Sequence, residues 1–440
     1  MKKILLISML LMASLYSFTQ EPVKDSTSVY KKRVLDNIEL DFLANYYHQD
    51  GDNAAVTGGK GTEELTDIAP SVIVSIPLND DDVLTIDATI SAYTSASSSN
   101  INPFDGDQAA DPFQASSGAS SSDVWVNLNG TYTHSSDDRN TIWSTKIALA
   151  KEFDYTSFGI GGSYTKLFNQ KNTELSLSAN IYFDKWKALY PVELIPFGEL
   201  NWGLSSPIFN QYTITGNVDY NPSFAEFDSE GRNSYTLGLG FSQILSKKLQ
   251  ASLALDLVQQ KGLLSTPFQR VYFNDVEDSF IENFQLADDI ERLPDSRFKI
   301  AVGGRLNYYV NEIFVLRTYY RFYIDDWGVE SHTASIEIPI KISRKFTIYP
   351  SYRYYNQTAA DYFAPYEQHS STEEFYTSDY DLSEFSSNQF GFGISYTDVF
   401  TKFHIARFGL KSIDLEFQKY ERNSGLKAGI ITAGLKFVVD

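Results

Sequence analysis

The chain has 440 residues and a formal net charge of -20, and it is 42% hydrophobic and 15% aromatic. Its 29 Tyr and 31 Phe exclude a disordered acidic protein, and no apolar run beyond the N-terminus reaches the roughly 20 residues of a transmembrane helix. The absence of Cys excludes disulfides and thiolate metal sites. The excess of acidic over basic residues argues against a nucleic-acid partner, whose phosphates need Lys and Arg. An all-β protein is therefore indicated.

The N-terminus has the pattern of a secretory signal peptide. Lys2 and Lys3 precede an apolar stretch from Ile4 to Leu15, which small and polar residues follow. The alternative is a retained anchor, but the apolar stretch is short for a bilayer and no stop-transfer pattern follows. We therefore predict a signal peptide at 1-19 and a single domain at 20-440.

Apolar and polar residues alternate with a period of two along most of the mature chain. Between 331 and 342, for example, Ala334, Ile336 and Ile338 share one face while Ser335 and Glu337 share the other. Segments of about a dozen residues are longer than average soluble strands and fit strands that cross a membrane at a tilt. The segments are 38-48, 66-76, 83-94, 123-134, 140-151, 155-168, 173-184, 233-244, 249-260, 297-309, 312-325, 331-342, 345-357, 387-397, 411-422 and 426-438.

The lengths of the connections indicate how such a barrel is oriented. Connections after even-numbered segments are mostly tight, although 398-410 is an exception of about a dozen residues. Long connections follow odd-numbered segments, at 49-65, 95-122, 185-232, 261-296 and 358-386. Short turns on one rim and long loops on the other are typical of bacterial outer-membrane barrels. We predict a transmembrane antiparallel β-barrel of about sixteen strands in a Gram-negative outer membrane, with outer-membrane lipid and the barrel-assembly machinery as its partners.

The face opposite the apolar one would line the lumen. Its basic residues fall on four consecutive predicted strands, and its acidic residues fall on the first three strands and the fifteenth. A basic wall would then face an acidic wall, which is an arrangement that selects solutes by charge. The alternative is that these charges pair with each other or with plug loops. The predicted basic residues are Arg305, Arg317, Arg321, Lys341 and Arg353, and the acidic ones are Glu39, Asp41, Asp67, Asp87, Asp414 and Glu416.

The loops contain no residue pattern that indicates a metal site or a catalytic site. The five His residues, at 48, 134, 332, 369 and 404, show no ligand spacing, so we expect no metal site. Two acidic clusters lack the spacing of a calcium loop and are interpreted as solvated surface: Asp275, Glu277 and Asp278, and Asp288, Asp289 and Glu291. No Asp-His-Ser order supports an esterase barrel, so we predict that the protein is not an enzyme.

The small-residue loop before the fourth predicted strand contains Ser117-Gly118-Ala119-Ser120. This tetrad is similar to the motif at which flavin transferases attach FMN through a phosphoester, here at Ser120. The motif has an Asp three residues before its first Ser, where this chain has Gln114. A plain flexible loop is the alternative, because such tetrads arise easily in a Ser- and Ala-rich segment. We therefore expect no cofactor, with covalent FMN as the alternative.

Four segments resemble a known family, the bacterial domain of unknown function 3570. They are LSTPFQRVYF at 264-273, ERLPDSRFK at 291-299, RTYYRFYIDDWGVESHT at 317-333 and YTSDYDLSEFSSNQFGFG at 376-393. The resemblance covers nearly the whole mature chain, and it implies an exported outer-membrane barrel without supplying catalytic residues.

Two functions fit these observations. The first is a channel or transport pore for small polar solutes. The second is a non-catalytic redox or scaffold barrel that carries covalent FMN or docks a periplasmic or lipoprotein partner. Whether the loops at 185-232 and 261-296 enter the lumen decides between an open pore and a plugged barrel.

Overall fold

The computed structural model describes residues 33–95 and 123–439, and its main feature is a ring of sixteen long strands. In chain order they are β1 Ile38–Asp50, β2 Leu65–Pro77, β3 Asp82–Ser95, β4 Asp123–Ser135, β5 Thr141–Lys151, β6 Tyr155–Phe168, β7 Thr173–Trp186, β8 Gly231–Ser246, β9 Leu249–Gly262, β10 Ser296–Tyr309, β11 Val315–Asp325, β12 Glu330–Glu337 with its continuation Ile340–Lys341, β13 Phe346–Gln357, β14 Phe385–Thr397, β15 Phe408–Arg422 and β16 Lys427–Val439. The fold class and the number of strands agree with the sequence prediction.

The strands form a closed barrel. Each strand pairs antiparallel with its neighbours in the chain, and β1 pairs with β16 over a register that begins at Ile38 and Val439. Closure leaves no edge strand with unpaired backbone groups, which a membrane could not solvate. The described residues contain no helix that is long and apolar enough to span a membrane.

The two faces of the strands carry different side chains because successive residues of a strand point in opposite directions. On β15, Ile413, Leu415 and Phe417 are 40%, 48% and 51% exposed on the outer face. The alternating positions Asp414 and Glu416 therefore face the lumen. An apolar outer band around a polar interior is the pattern of a membrane-spanning barrel.

The connections divide between the two rims as predicted. The turns at 78–81, 136–140, 169–172 and 247–248 lie on one rim, which the sequence predicts to be periplasmic. The loops at 51–64, 187–230, 263–295 and 358–384 lie on the other rim, which it predicts to be extracellular. The predicted loop at 95-122, including its Ser-rich tetrad, lies outside the described residues apart from Ser95, and so does the predicted signal peptide at 1-19.

Most strand boundaries lie within two residues of the prediction, and three strands differ by more. β11 begins at Val315 rather than 312. β15 begins at Phe408 rather than 411, because its first residues pair with the short strand His404–Ile405 and a bulge after Leu410 shifts the register. The long turn after β14 thus spans 398–407. The predicted segment 331-342 is interrupted after Glu337, where Pro339 and Pro350 on the paired strand lack the N–H groups that a continuous ladder needs.

The long loops fold together into an apolar core at one end of the barrel. We call loops 51–64, 187–230, 263–295 and 358–384 the extracellular cap. The fully buried side chains of the cap include Leu194, Tyr272, Phe284 and Ile290. Its short elements are the strands Ile214–Gly216, Arg270–Val271, Ser279–Ile281, Phe284–Gln285 and Asp289–Ile290, the α-helix Pro207–Asn210, and the 3-10 turns Ala55–Thr57, Ile195–Phe197, Gly203–Ser205 and Tyr380–Leu382.

Candidate functional site

The acidic wall of the lumen is partly neutralised. Lys436 on β16 contacts both Glu39, at 2.6 Å, and Asp41, at 3.4 Å, on the neighbouring β1. Lys411 on β15 reaches Glu39 at 2.7 Å. The sequence analysis predicted the two carboxylates but missed both lysines, which become neighbours of β1 only when β16 closes the ring. Glu39 and Asp41 therefore contribute little free negative charge.

The other predicted acidic residues also face the lumen, and the hydrogen bonds that the structure describes for them come from neutral groups. Ser91 donates to Asp67 at 2.6 Å, Ser412 to Asp414 at 3.2 Å, and Gln418 to Glu416 at 2.7 Å. Asp87 lies 3.5 Å from the hydroxyl of Thr89. These four carboxylates keep the negative charge of the wall formed by β15, β2 and β3.

The basic wall lies on β10 to β13, as the sequence predicted. Arg317 forms an ion pair with Glu337 at 2.7 Å across β11 and β12. Arg305, Arg321 and Arg353 have no ion pair with any residue that the structure describes, and each lies over a tyrosine ring at 5.5–6.0 Å. Lys341 is exposed near the periplasmic end of β12, opposite Thr347. Only part of this wall is therefore neutralised.

One turn of the cap reaches across the mouth of the barrel. The carboxylate of Asp381, in the turn Tyr380–Leu382, accepts a hydrogen bond at 2.7 Å from Arg422 on β15. The side chain of Gln357 on β13 donates to the backbone carbonyls of Asp381 and Ser383. The same turn lines two cavities with residues of β8 to β13. Because β8 and β15 lie on opposite sides of a sixteen-strand ring, the turn obstructs the extracellular mouth.

The two cavities lie between this turn and the basic wall. One has a volume of about 240 Å³, and we call it the basic chamber because Arg297, Arg321 and Arg353 line it beneath Asp381. The other, of about 280 Å³, shares Arg297 and Asp381 and adds Arg232, Lys299 and Trp327. Sequence reasoning placed Arg321 and Arg353 in the lumen but missed Arg297, which lies at the very start of its strand.

Arg297 differs from the other two arginines of the basic chamber because it is neutralised. Its guanidinium contacts Asp325 at 2.5 and 2.9 Å and lies 4.2 Å from the centre of the Trp327 ring. The indole N–H of Trp327 donates to the carbonyl of Ser296 at 3.0 Å. These contacts hold one side of the chamber in place.

The acidic cluster at 288–291 is buried, which corrects its interpretation as solvated surface. The exposed fractions of Asp288, Asp289 and Glu291 are 8%, 2% and 2%. Burial raises the pKa of Asp288 to about 7 and, together with the negative charge of Asp379, that of Glu291 to about 8. The cluster lies in the cap because its residues pair with the segments 265–273 and 376–379. Asp275 and Glu277 remain exposed, as predicted.

Two further cap carboxylates near the mouth have raised pKa values. Burial raises the pKa of Glu63 to about 7, and burial together with neighbouring Asp381 raises that of Asp379 to about 6. Glu291 accepts hydrogen bonds from the backbone N–H of Thr266 and the hydroxyl of Thr377. These carboxylates are therefore protonated to a large extent at mildly acidic pH.

The centre of the cap contains an ion pair that the sequence analysis did not identify. The guanidinium of Arg270 contacts the carboxylate of Glu193 at 2.6 and 3.1 Å, and neither side chain is exposed. Arg270 also donates to the carbonyl of Val56 at 3.3 Å. The pair thus connects three loops of the cap, and only the resemblance of the segment 264-273 to a family could have singled out this arginine.

Ser120 lies outside the described residues, so FMN attachment remains a prediction. The described residues contain no group of three or more His, Asp or Glu placed to hold a metal ion. The four segments that carry the family resemblance meet at the cap and the basic chamber. They supply Arg270, Arg297, Arg321 and Asp381, and the strands β8, β9 and β13 complete the site.

A family profile described as protein of unknown function (DUF3570) matches residues 7–426. No curated protein matches the chain. A bacterial polysaccharide outer membrane secretin is similar over 92% of this chain and 99% of its own, at 8% identity and a TM-score of 0.44. The similarity to a Pseudomonas aeruginosa FadL homologue covers 92% of this chain and 90% of that protein, at 9% identity and a TM-score of 0.39. The similarity to the Pseudomonas aeruginosa outer membrane protein opdK covers 91% of this chain and 98% of that protein, at 8% identity and a TM-score of 0.35. Similarities this distant carry no argument about function.

Proposed function

Because the chain belongs to a family of proteins of unknown function, DUF3570, its own geometry has to indicate its role, and we propose that it is a bacterial outer-membrane pore for small polar solutes. The extracellular cap closes this pore, and the basic wall favours anions over cations. The proposed function requires no catalytic residue and no cofactor.

The observation that carries this proposal is the closed ring of sixteen strands with a charged inner face. A ring of this size leaves an aqueous channel unless other parts of the chain fill it. Lumen-facing charges such as Arg305, Asp87 and Glu416 would be costly in an apolar interior and are stable only where water solvates them. The interior below the cap therefore suits the passage of polar solutes.

The closed state follows from the turn Tyr380–Leu382. Arg422 and Gln357 hold this turn across the mouth through one ion pair and two backbone contacts. Asp381 is itself 70% exposed in its side chain, so its ion pair with Arg422 is worth at most about 1 kcal/mol. This ion pair can therefore open and close at ordinary temperature, while the two hydrogen bonds from Gln357 keep the turn attached to β13.

Planar-bilayer recording tests the proposal. Purified full-length protein should show small, brief openings, and Arg422→Gln should increase the fraction of time spent open. Arg317→Gln serves as the matched control because it removes another lumen ion pair, with Glu337, that does not touch the cap. If neither the wild type nor Arg422→Gln conducts, although both migrate as folded barrels on unheated gels, the pore function is wrong.

A further inference from the structure

The basic chamber contains two positive charges that no acidic residue in the described part of the chain compensates. Arg321 on β11 and Arg353 on β13 have no hydrogen bond or ion pair with any acidic residue among those that the structure describes. The third arginine of the chamber, Arg297, is paired with Asp325, and Asp381 of the overlying turn is paired with Arg422. The net charge of the chamber is therefore positive, and it comes from Arg321 and Arg353.

The strand between these two arginines adds neutral hydrogen-bond donors. Ser331 and Thr333 of β12 line the same chamber, and within the described part of the chain neither hydroxyl has a hydrogen-bond partner. Both residues are largely buried, at 5% and 7% exposure. Each hydroxyl oxygen is accessible to solvent, because neither is among the buried side-chain atoms without a partner in the described residues. Both can therefore donate to an oxyanion bound in the chamber beside the two arginines.

The register of the strands sets the spacing of these groups. Arg321 pairs with Thr333, which pairs in turn with Tyr355, two residues from Arg353 on β13. Arg321 and Arg353 are thus two strands apart, or about 10 Å between backbones, and their long side chains can approach one ligand from both sides. The rings of Tyr323 and Tyr355 also line the chamber and provide apolar contact. Guanidinium forks recognise carboxylate and phosphate oxygens in pairs.

From these observations we infer that the basic chamber binds a small oxyanion, a carboxylate or a phosphate, between Arg321 and Arg353 with the hydroxyls of Ser331 and Thr333 as further donors. The cavity volume of about 240 Å³ limits the ligand to a few carbon atoms. The inference rests on the proposed pore function, because a pore is what brings external solutes to this chamber.

Calorimetric titration of the full-length protein in detergent tests the site. The probes are succinate and inorganic phosphate, whose comparison identifies the preferred oxyanion, and 1,4-butanediol is the uncharged analogue of succinate. We expect saturable binding of at least one anion and none of the diol. Arg321→Gln and Arg353→Gln should each weaken that binding by about tenfold or more, as the loss of a charge-assisted hydrogen bond predicts.

Arg305→Gln is the matched control because Arg305 also faces the lumen, has no ion pair with a described residue, and does not line the chamber. Its affinity should stay within about twofold of the wild type. Equal weakening by all three substitutions would show a diffuse field and overturn the site, as would the absence of saturable binding in the wild type. Conductance without binding would overturn the site and leave the pore, whereas binding without conductance would support the site and overturn the pore.

Discussion

At the scale of single residues, the ion pair of Arg270 and Glu193 is a fully buried contact at the centre of the cap. Both charges have lost all contact with water, so each needs the other to compensate its desolvation. The pair also joins the loops 51–64, 187–230 and 263–295, because Arg270 additionally bonds to Val56. Its removal should therefore affect the cap as a whole.

We predict that Arg270→Ala lowers the stability of the cap by about 3–5 kcal/mol, because it leaves the carboxylate of Glu193 buried and unpaired. Hydrogen exchange at Tyr272 and Ile290 measures this change, while exchange in the barrel strands should be unaffected. Arg317→Ala is the control, since its ion pair with Glu337 is half exposed and contributes about 0–1 kcal/mol. Unchanged protection of the cap in Arg270→Ala would contradict the prediction.

At the scale of single strands, the two faces of β15 should respond differently to the same substitution. Leu415 lies at the middle of the strand on the outer face, so Leu415→Arg should destabilise the barrel by about 2–4 kcal/mol. Gln418→Arg, on the lumen face near Glu416, should be tolerated. Urea-induced unfolding in lipid vesicles measures both, and similar losses of stability would mean that the assignment of faces is wrong.

Within the cap, the raised pKa values of Glu291 and Asp288 predict a dependence on pH. A carboxylate with a raised pKa in the folded state stabilises that state fully below its unfolded pKa, and this contribution is lost as pH rises through the folded value. The cap should therefore loosen between about pH 4 and pH 8.

Protection of the cap loops from a protease active across this range, measured at pH 5.5 and pH 8.5, tests the dependence. Glu291→Gln should reduce the difference between the two pH values, because the amide mimics the protonated acid. Glu282→Gln, an exposed position in the same loop, is the control and should behave like the wild type. A cap that is more resistant at pH 8.5 than at pH 5.5 would contradict the argument.

Elements differ in how far the sequence could predict them. The barrel strands carry an alternating pattern, so their number and nearly all of their positions could be predicted within a few residues. The cap core could not, because Leu194, Tyr272, Phe284 and Ile290 come from loops without any periodicity. The lumen charges were predicted individually from the alternation. Pairing of these charges was kept as an alternative, but partners such as Lys436 for Glu39 could not be predicted, because they meet only between the two ends of the closed chain.

At the scale of the whole molecule, we predict that the pore prefers anions although the protein has a net charge of -20. Charge at a constriction governs selectivity, and distant charges are screened within about 8 Å at physiological salt. Replacing both Arg321 and Arg353 by Glu should therefore shift the reversal potential in a KCl gradient towards cation preference.

The matched control replaces Lys247 and Lys248 by Glu in the exposed periplasmic turn between β8 and β9. It changes the net charge of the protein by the same amount but lies outside the constriction. Its reversal potential should stay near that of the wild type. An equal shift in the two double variants would show that overall charge, and not the basic chamber, sets the selectivity.

The pairing of β1 with β16 determines when folding of the barrel can be completed. β1 is made first but can complete its pairing only when β16 is present. In addition, the side chain of Asn53 in the first loop donates a hydrogen bond to the carbonyl of Ser424, 371 residues later in the chain. Contacts between such distant parts of a chain form late, since a long loop must close before they contribute. We therefore expect closure of the barrel and ordering of the cap to occur together as the last step of folding. A partly folded barrel would then lack a closed cap.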